Sequence, residues 1–175
     1  FEIYNTDHTA RNALRIYSDA GNSNTFNSIE AYASRGSIVT PTINAADDSL
    51  FGYIHHGYDG TQYVQSSYIV AGIDSQASVG VGAMPGNILL GTTPDNGSTV
   101  NSVVINKDGN LGVNTLTPSK KLVVNGNAQV VNELLLGNMD QTAINALTGA
   151  NGMIVYNTTT NKFQGYENGA WANLI

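Results

Sequence analysis

The sequence predicts a mainly β chain whose short strands are completed by further copies of itself. Three observations lead there. Short β-like runs recur at roughly ten-residue spacing. The segments between them are dense in Gly, Asn, Asp, Pro and Ser, which supply positive φ, fixed φ or local side-chain turns. Each apolar burst is too small to bury a core of its own, and nothing in the 175 residues resembles a long core helix.

The β-like runs, in order, are ALRIYS (13–18), SIEAYAS (28–34), LFGYIHH (50–56), QYVQSSYIVAGID (62–74), NILLGT (87–92), VNSVVIN (100–106), KLVVNG (121–126) and AQVVNELLL (128–136). In the fourth run Tyr63, Gln65, Ser67, Ile69 and Ala71 fall on one face and Val64, Ser66, Tyr68 and Val70 on the other, which suits a strand partly covered on both sides. In NKDGNLGVN the Asp108-Gly109 pair predicts a type I′ hairpin turn, after which Leu111 and Val113 re-enter a strand. Pro118, with no N–H to give a ladder, ends that run. One segment reads as helix, DQTAINALTG (140–149): Asp140 can cap it, and Ala143, Ile144, Ala146 and Leu147 line one side.

The stretch DGNLGVNTLTPSKKLVVNG (108–126) holds so few aliphatic side chains that one copy offsets little of the backbone entropy lost on ordering it. A solenoid solves this by stacking repeats, but no fixed period recurs three times here. The remaining solution is other chains. Three copies about a common axis would place Leu111, Val113, Leu122 and Val124 in a shared core.

Composition excludes several partner classes. Seven basic residues are scattered and outnumbered by thirteen acidic ones, for a formal net charge of −6, with a sequence pI near 4.7. That is not the basic stripe that phosphate recognition needs, so nucleic acid is not expected as a partner. Apolar runs fall far short of the roughly 20 residues that span a bilayer, so no membrane insertion is expected. The absence of cysteine rules out disulfides and thiolate chemistry. The chain opens on Phe1 without a signal-peptide pattern, which reads as a fragment or a processed product.

The pattern GNLGVNTLTPSKKLVVNG resembles a shaft repeat common in tail fibres and receptor-binding proteins of tailed bacteriophages. NGMIVYNTTTNKFQGYENGAW, near the C-terminus, is similar to a second phage-fibre module, and SRGSIVTPTINAADDSLFGYIHHGYDGTQY with AMPGNILL to a third. The resemblance implies an elongated, intertwined homotrimeric β-fibre with one short C-terminal helix and a terminal β-hairpin. Its segments would be a β-rich module (1–107), a shaft-like connector (108–137) and a small helix-plus-hairpin module (138–175). It also implies a virion location, other tail or fibre proteins as partners, and attachment to a bacterial surface glycan or outer-surface protein. Family members often end in a self-cleaving chaperone, and nothing before Ile175 resembles one. Two other readings stand beside it: a bacterial surface adhesin or filament subunit built from the same modules, and a non-catalytic piece of a polysaccharide-degrading tailspike.

Motifs that would carry chemistry have plainer explanations. His55 and His56 are neighbours on a strand and point opposite ways, so they cannot jointly hold an axial metal. GVGAMPG (80–86) lacks the spacing and the following helix of a phosphate loop. Asp47, Asp48, Asp59 and Asp74 lack an EF-hand spacing and read as turn residues. The sequons at Asn96 and Asn157 read as turns. No Ser/His/Asp set stands out from chance, so the expectation is a protein that is not an enzyme and holds no cofactor or metal.

Aromatic residues are the better clue, because flat rings with a polar edge suit sugars and protein epitopes. Tyr58, Asp59, Thr61 and Gln62, expected on a loop, are candidate receptor contacts, as are Tyr166, Asn168 and Trp171 around the ENG turn. Tyr156 and Phe163 are expected to pack along a hairpin.

Overall fold

The computed structural model describes residues 29–37, 39–95, 97–98 and 100–174, without the Asn101 side chain. The expected strand at 13–18 lies outside them. The chain divides into two compact units, Phe1–Gly126 and Asn127–Ile175. Both are β-built, with one short helix and a terminal hairpin in the second, as the strand spacing predicts. Among the described residues no helix is long and apolar enough to cross a membrane.

Among the described residues, the first element of the first unit is a small ribbon, β1 (Arg35–Gly36) against β2 (Pro41–Thr42). Gly36 takes φ 81, and the Thr40 carbonyl lies 2.6 Å from where a Cβ would stand, so the turn requires glycine. Arg35 donates from Nε and Nη2 to the two oxygens of Asp48, at 2.9 and 2.8 Å. The run at 29–34 forms no strand, contrary to the sequence pattern; pairing begins only at Arg35, where Thr42 offers a partner.

A six-stranded sheet follows in chain order: β3 (Ser49–Tyr58), β4 (Tyr63–Ile73), β5 (Gly86–Thr92), β6 (Val100–Ile105), β7 (Leu111–Val113) and β8 (Leu122–Val124). Neighbours are antiparallel except β7 and β8, which run parallel. Three register shifts, between Ser49 and Phe51, His55 and His56, and Leu90 and Gly91, bound a stretch of regular pairing across the sheet.

The β6–β7 turn is not type I′. Of the pair Asp108-Gly109 only the glycine lies at positive φ, 67, and Gly109 N–H reaches the Asn106 carbonyl at 2.9 Å while Asn106 N–H reaches Asn110 O at 3.0 Å. This is a three-residue hairpin loop with glycine in the left-handed bulge position. Buried Asn106 imposes it, because its Oδ1 accepts from the N–H groups of Asp108 (3.1 Å) and Asn110 (2.9 Å).

Parallel strands usually need a crossover of about a dozen residues or more, yet residues 114–121 alone join β7 to β8. Side chains hold this short link. Asn114 and Asn125 each donate from Nδ2 to the other's carbonyl, at 3.0 and 3.1 Å. Asn110 Nδ2 donates to Pro118 O at 3.0 Å, and Lys121 Nζ to Asp108 O at 2.8 Å. Pro118 therefore does not end β7. Asn114, at φ 55, turns the chain out of the strand, and Pro118 sits buried within the link.

The second unit holds β9 (Asn138–Met139), α1 (Gln141–Asn145), β10 (Ile154–Asn157), β11 (Lys162–Glu167) and β12 (Ala170–Asn173), with sheet order β12-β11-β10-β9. Asp140 caps α1, its Oδ1 accepting from Ala143 N–H at 2.8 Å. The helix is shorter than the expected 140–149 because Leu147 N–H turns back to Ile144 O and Gly149 then runs beneath the Tyr166 ring. The run at 128–136, expected as a strand, is none: it has no strand partner among the described residues and is mostly exposed. Asn157 is fully buried and anchors a row of amides. Its Nδ2 donates to Gln141 Oε1 (2.7 Å) and Gln164 Oε1 (3.1 Å), while Gln141 donates to Asn145 Oδ1 and Gln164 to Asn173 Oδ1.

The buried apolar residues of the described chain are Ile73, Val104, Ile144 and Val155. Most remaining large apolar side chains of both sheets are open to solvent in a single copy.

Candidate functional site

Three features come together from these elements: two aromatic hairpin ends and one apolar sheet face. At the β3–β4 end, Asp59 Oδ1 accepts from Thr61 N–H (2.7 Å) and Gln62 N–H (2.8 Å), and Asp59 N–H donates to Gln62 O (3.0 Å). Donation from Gln62 and then Thr61 lowers the Asp59 pKa. Gly60, at φ 103, completes the reversal. Tyr58 belongs to β3 rather than to the loop, paired with Tyr63 across the ladder, and their rings lie 5.3 Å apart. Both rings are open to solvent, at 62% and 75% exposure. Thr61 and Gln62 are exposed between them. Asp59 thus shapes the turn, and the two rings with Thr61 and Gln62 form its outward surface.

At the β11–β12 end, Asn168 (φ 50) and Gly169 (φ 86) are the two central residues of a type I′ turn between the paired Glu167 and Ala170. Tyr166 and Trp171 face each other one pair further in, edge to face at 5.2 Å. Both are half-buried, and Tyr166 also covers Gly149, where a Cβ would clash with its ring. Asn168 is exposed and its immediate task is conformational. Tyr156 and Phe163 pair directly on β10 and β11 with rings 5.1 Å apart, and with Leu134 and Leu135 they line a groove of about 230 Å³.

The apolar face appears when the strand registers are followed across the first unit. One row of cross-strand partners reads Phe51, Ala71, Ile88, Ile105, Leu111 and Leu122. Two residues along, the parallel row reads Tyr53, Ile69, Leu90, Val103, Val113 and Val124. Alternation puts both rows on one face, and the edge-to-face contact of Phe51 with Tyr53 at 5.1 Å agrees. The residues Leu111, Val113, Leu122 and Val124, singled out from sequence as a shared core, are the last third of this face. Leu122 is 61% exposed in one copy. The chain closes the opposite face only at β6 and β7, where Val104 is buried and Thr115 from the 114–121 link sits against Gly112. Toward β3 that face stays open, with Ile54 51% exposed and Ile54, Tyr68, Val70 and Leu89 lining a groove of about 270 Å³.

Residues 112–175 match the family model described as "Phage tail like trimerisation region". The match supports a structural component of a phage tail that forms a homotrimer. No curated protein matches the chain. The matched stretch takes in Gly112 and Val113 of β7, all of β8 and the whole second unit.

Other residues considered from sequence have local duties. His55 Nδ1 and Ser67 Oγ lie 3.1 Å apart at the register shift. Gly80 and Ala83 exchange both backbone hydrogen bonds, so those amides face each other rather than an outside anion. Asp74 accepts from Gln76 N–H (2.8 Å) and Lys107 N–H (3.0 Å). Asn157, the sequon asparagine, is buried and bonded through both side-chain atoms, which leaves no room for a glycan. Asn96 lies outside the described residues.

Sequence reasoning missed two things. The Arg35–Asp48 pair, with Ala45 N–H and Asn44 also donating to Asp48, holds that carboxyl at about 2 against an ordinary 3.8, chiefly through Arg35. The usable signal was the two like neighbours Asp47-Asp48 after an RG turn. The upstream two-thirds of the apolar face was also missed, because β3 to β6 carry apolar residues at both parities and only register selects a face.

Proposed function

We propose that this chain is a segment of a phage tail fibre that attaches to the bacterial host surface, with the β3–β4 hairpin end as a contact point. The observation that supports this is the pair of solvent-open tyrosines, Tyr58 and Tyr63, held on a preshaped Asp59 turn. Rigid aromatic surfaces bind with little lost side-chain entropy, and Thr61 and Gln62 add hydrogen-bonding groups beside them. The half-buried Tyr166–Trp171 pair beside exposed Asn168 is the secondary contact surface. A homotrimer carries each surface three times, so weak single contacts combine into firm attachment. We read the role as binding without catalysis, and the Asp59 carboxylate at the first turn is engaged by the N–H groups of Thr61 and Gln62.

The test is binding of the labelled chain to susceptible bacteria, with and without the double change Tyr58→Ala and Tyr63→Ala. Loss of two aromatic anchors should weaken binding by about tenfold or more, with the sedimentation mass unchanged. Equal binding by both proteins would remove this hairpin end from the attachment surface.

A further inference from the structure

We propose that a second and a third copy of this chain cover the two apolar rows of β3 to β8, so that the trimer interface extends upstream from the matched region as far as Phe51.

The matched region begins at residue 112, but the sheet it enters does not. Val113, Leu122 and Val124 lie inside the match, and each continues without interruption into a row whose other members lie upstream. Adjacent strands are about 4.8 Å apart, so a neighbouring copy that covers Leu122 and Val124 meets Leu111, Ile105 and Val103 within the next two strands. Nothing in the rows marks a place for it to stop. None of the twelve positions is charged, and the only polar atom on a side chain is the Tyr53 hydroxyl.

At one end of the rows the border of the face is polar. His55, Ser67 and Thr92 form the next row on that face, with His55 bonded to Ser67 and Thr92 Oγ1 3.1 Å from Ser102 Oγ. An apolar centre with a hydrogen-bonded rim is the anatomy of a protein interface. The rows carry no basic residue to attract a lipid surface and form an open sheet face rather than a closed cavity for a small apolar ligand. Copies of this chain are the occupant because the face is continuous with a region matched to trimerisation. The proposal rests on the homotrimer that the match supports, and its test uses no host surface, so it can fail while the attachment reading stands.

Two measurements on the full chain decide it. In sedimentation equilibrium, Val81→Asp, at a fully exposed site off the face, should keep the wild-type mass of three times 18.5 kDa. Ile69→Asp with Ile88→Asp, both upstream of the match, should shift the mass threefold, to a single chain. Hydroxyl-radical footprinting of the wild-type protein needs no variant and covers the case in which that double variant fails to fold. Tyr53, 52% exposed in one copy, should then be oxidised at least about fivefold more slowly than Tyr63, at 75%. A folded double variant that remains trimeric, or Tyr53 reacting as fast as Tyr63, would overturn the proposal.

Discussion

Replacing Gly112 with alanine tests whether the short β7–β8 link is as tightly packed as its geometry states. The new Cβ would stand 2.4 Å from the Thr115 carbonyl oxygen and 2.9 Å from Val104 Cγ1, where ordinary contacts begin at 3.4 Å. The link must therefore retreat by about 1 Å, or β7 must shift within the sheet. Val104 can yield little, being buried, and Thr115 lies in a link clasped by Asn114 and Asn125. Overpacking of this kind costs about 1–3 kcal/mol, and a backbone obstacle places it near the upper end. For a chain of this size each kcal/mol lowers Tm by about 2–4 °C, so the expected loss is roughly 6–12 °C. Thermal melts followed by circular dichroism should be compared at equal protomer concentration, because assembly makes Tm depend on concentration. Gly57→Ala is the control: it lies in β3 with nothing within 4 Å of the added atom, and should melt within a degree or two of wild type. A Gly112→Ala protein melting within about 1 °C of wild type would refute the packing argument.

Three further outcomes follow from the same structure. The Asp48 carboxyl is held at about 2 against 3.8, so its ionised form is favoured by folding; that stabilisation is whole above about pH 4 and is lost as pH falls toward 2. Asp48→Asn should flatten the acid limb of a urea-stability profile in that window, and an unchanged limb would show that the Asp48 carboxyl does not govern it. Asn157→Ala strands the N–H groups of Thr159 and Thr160 and the inner oxygens of Gln141 and Gln164. Thr159 and Thr160 are exposed, so water can take their N–H groups, while Gln164 is buried. At about 1–3 kcal/mol for an unsatisfied buried group, a loss of that size should appear as an earlier urea midpoint, and an unchanged midpoint would mean water replaces the amide. Asn168→Val forces a β-branched residue to φ 50, at a cost of about 1–2 kcal/mol, whereas Asn168→Gly should be close to neutral; Trp171 fluorescence reports both melts.

The strands of the first unit were legible because their apolar runs are punctuated by residues that can only turn, as at Asp59-Gly60 and Asp108-Gly109. The Asp140 cap and the Tyr156–Phe163 pairing were legible for similarly local reasons. What escaped depended on partners distant in sequence. The run at 128–136 has the composition of a strand, but composition cannot supply a neighbouring ladder. The turn at Asp108-Gly109 was misread because Asn106, two residues earlier, captures the backbone and selects another loop. The extra residues that shift register at Leu50, Ser66 and Ser102 carry no compositional mark, so simple alternation misassigned faces: the set Tyr63, Gln65, Ser67, Ile69 and Ala71 is broken at Ser66, where Gln65 pairs with His56 and Ser67 with His55. Tyr58 was placed one residue too far into its loop, since only the pairing with Tyr63 fixes the strand end.

The amide row in the second unit has a sense of direction. Asn157 Oδ1 is claimed by the N–H groups of Thr159 and Thr160, so its nitrogen must point inward, and each glutamine beside it must turn its oxygen toward that nitrogen. Gln141 and Gln164 then have only their own nitrogens left for Asn145 and Asn173. A single backbone reversal at one end of β10 thereby orients four other side chains, and no proton need be gained or lost to keep them so. Neutral groups locked in this way tie α1 to the outermost strand with no dependence on charge.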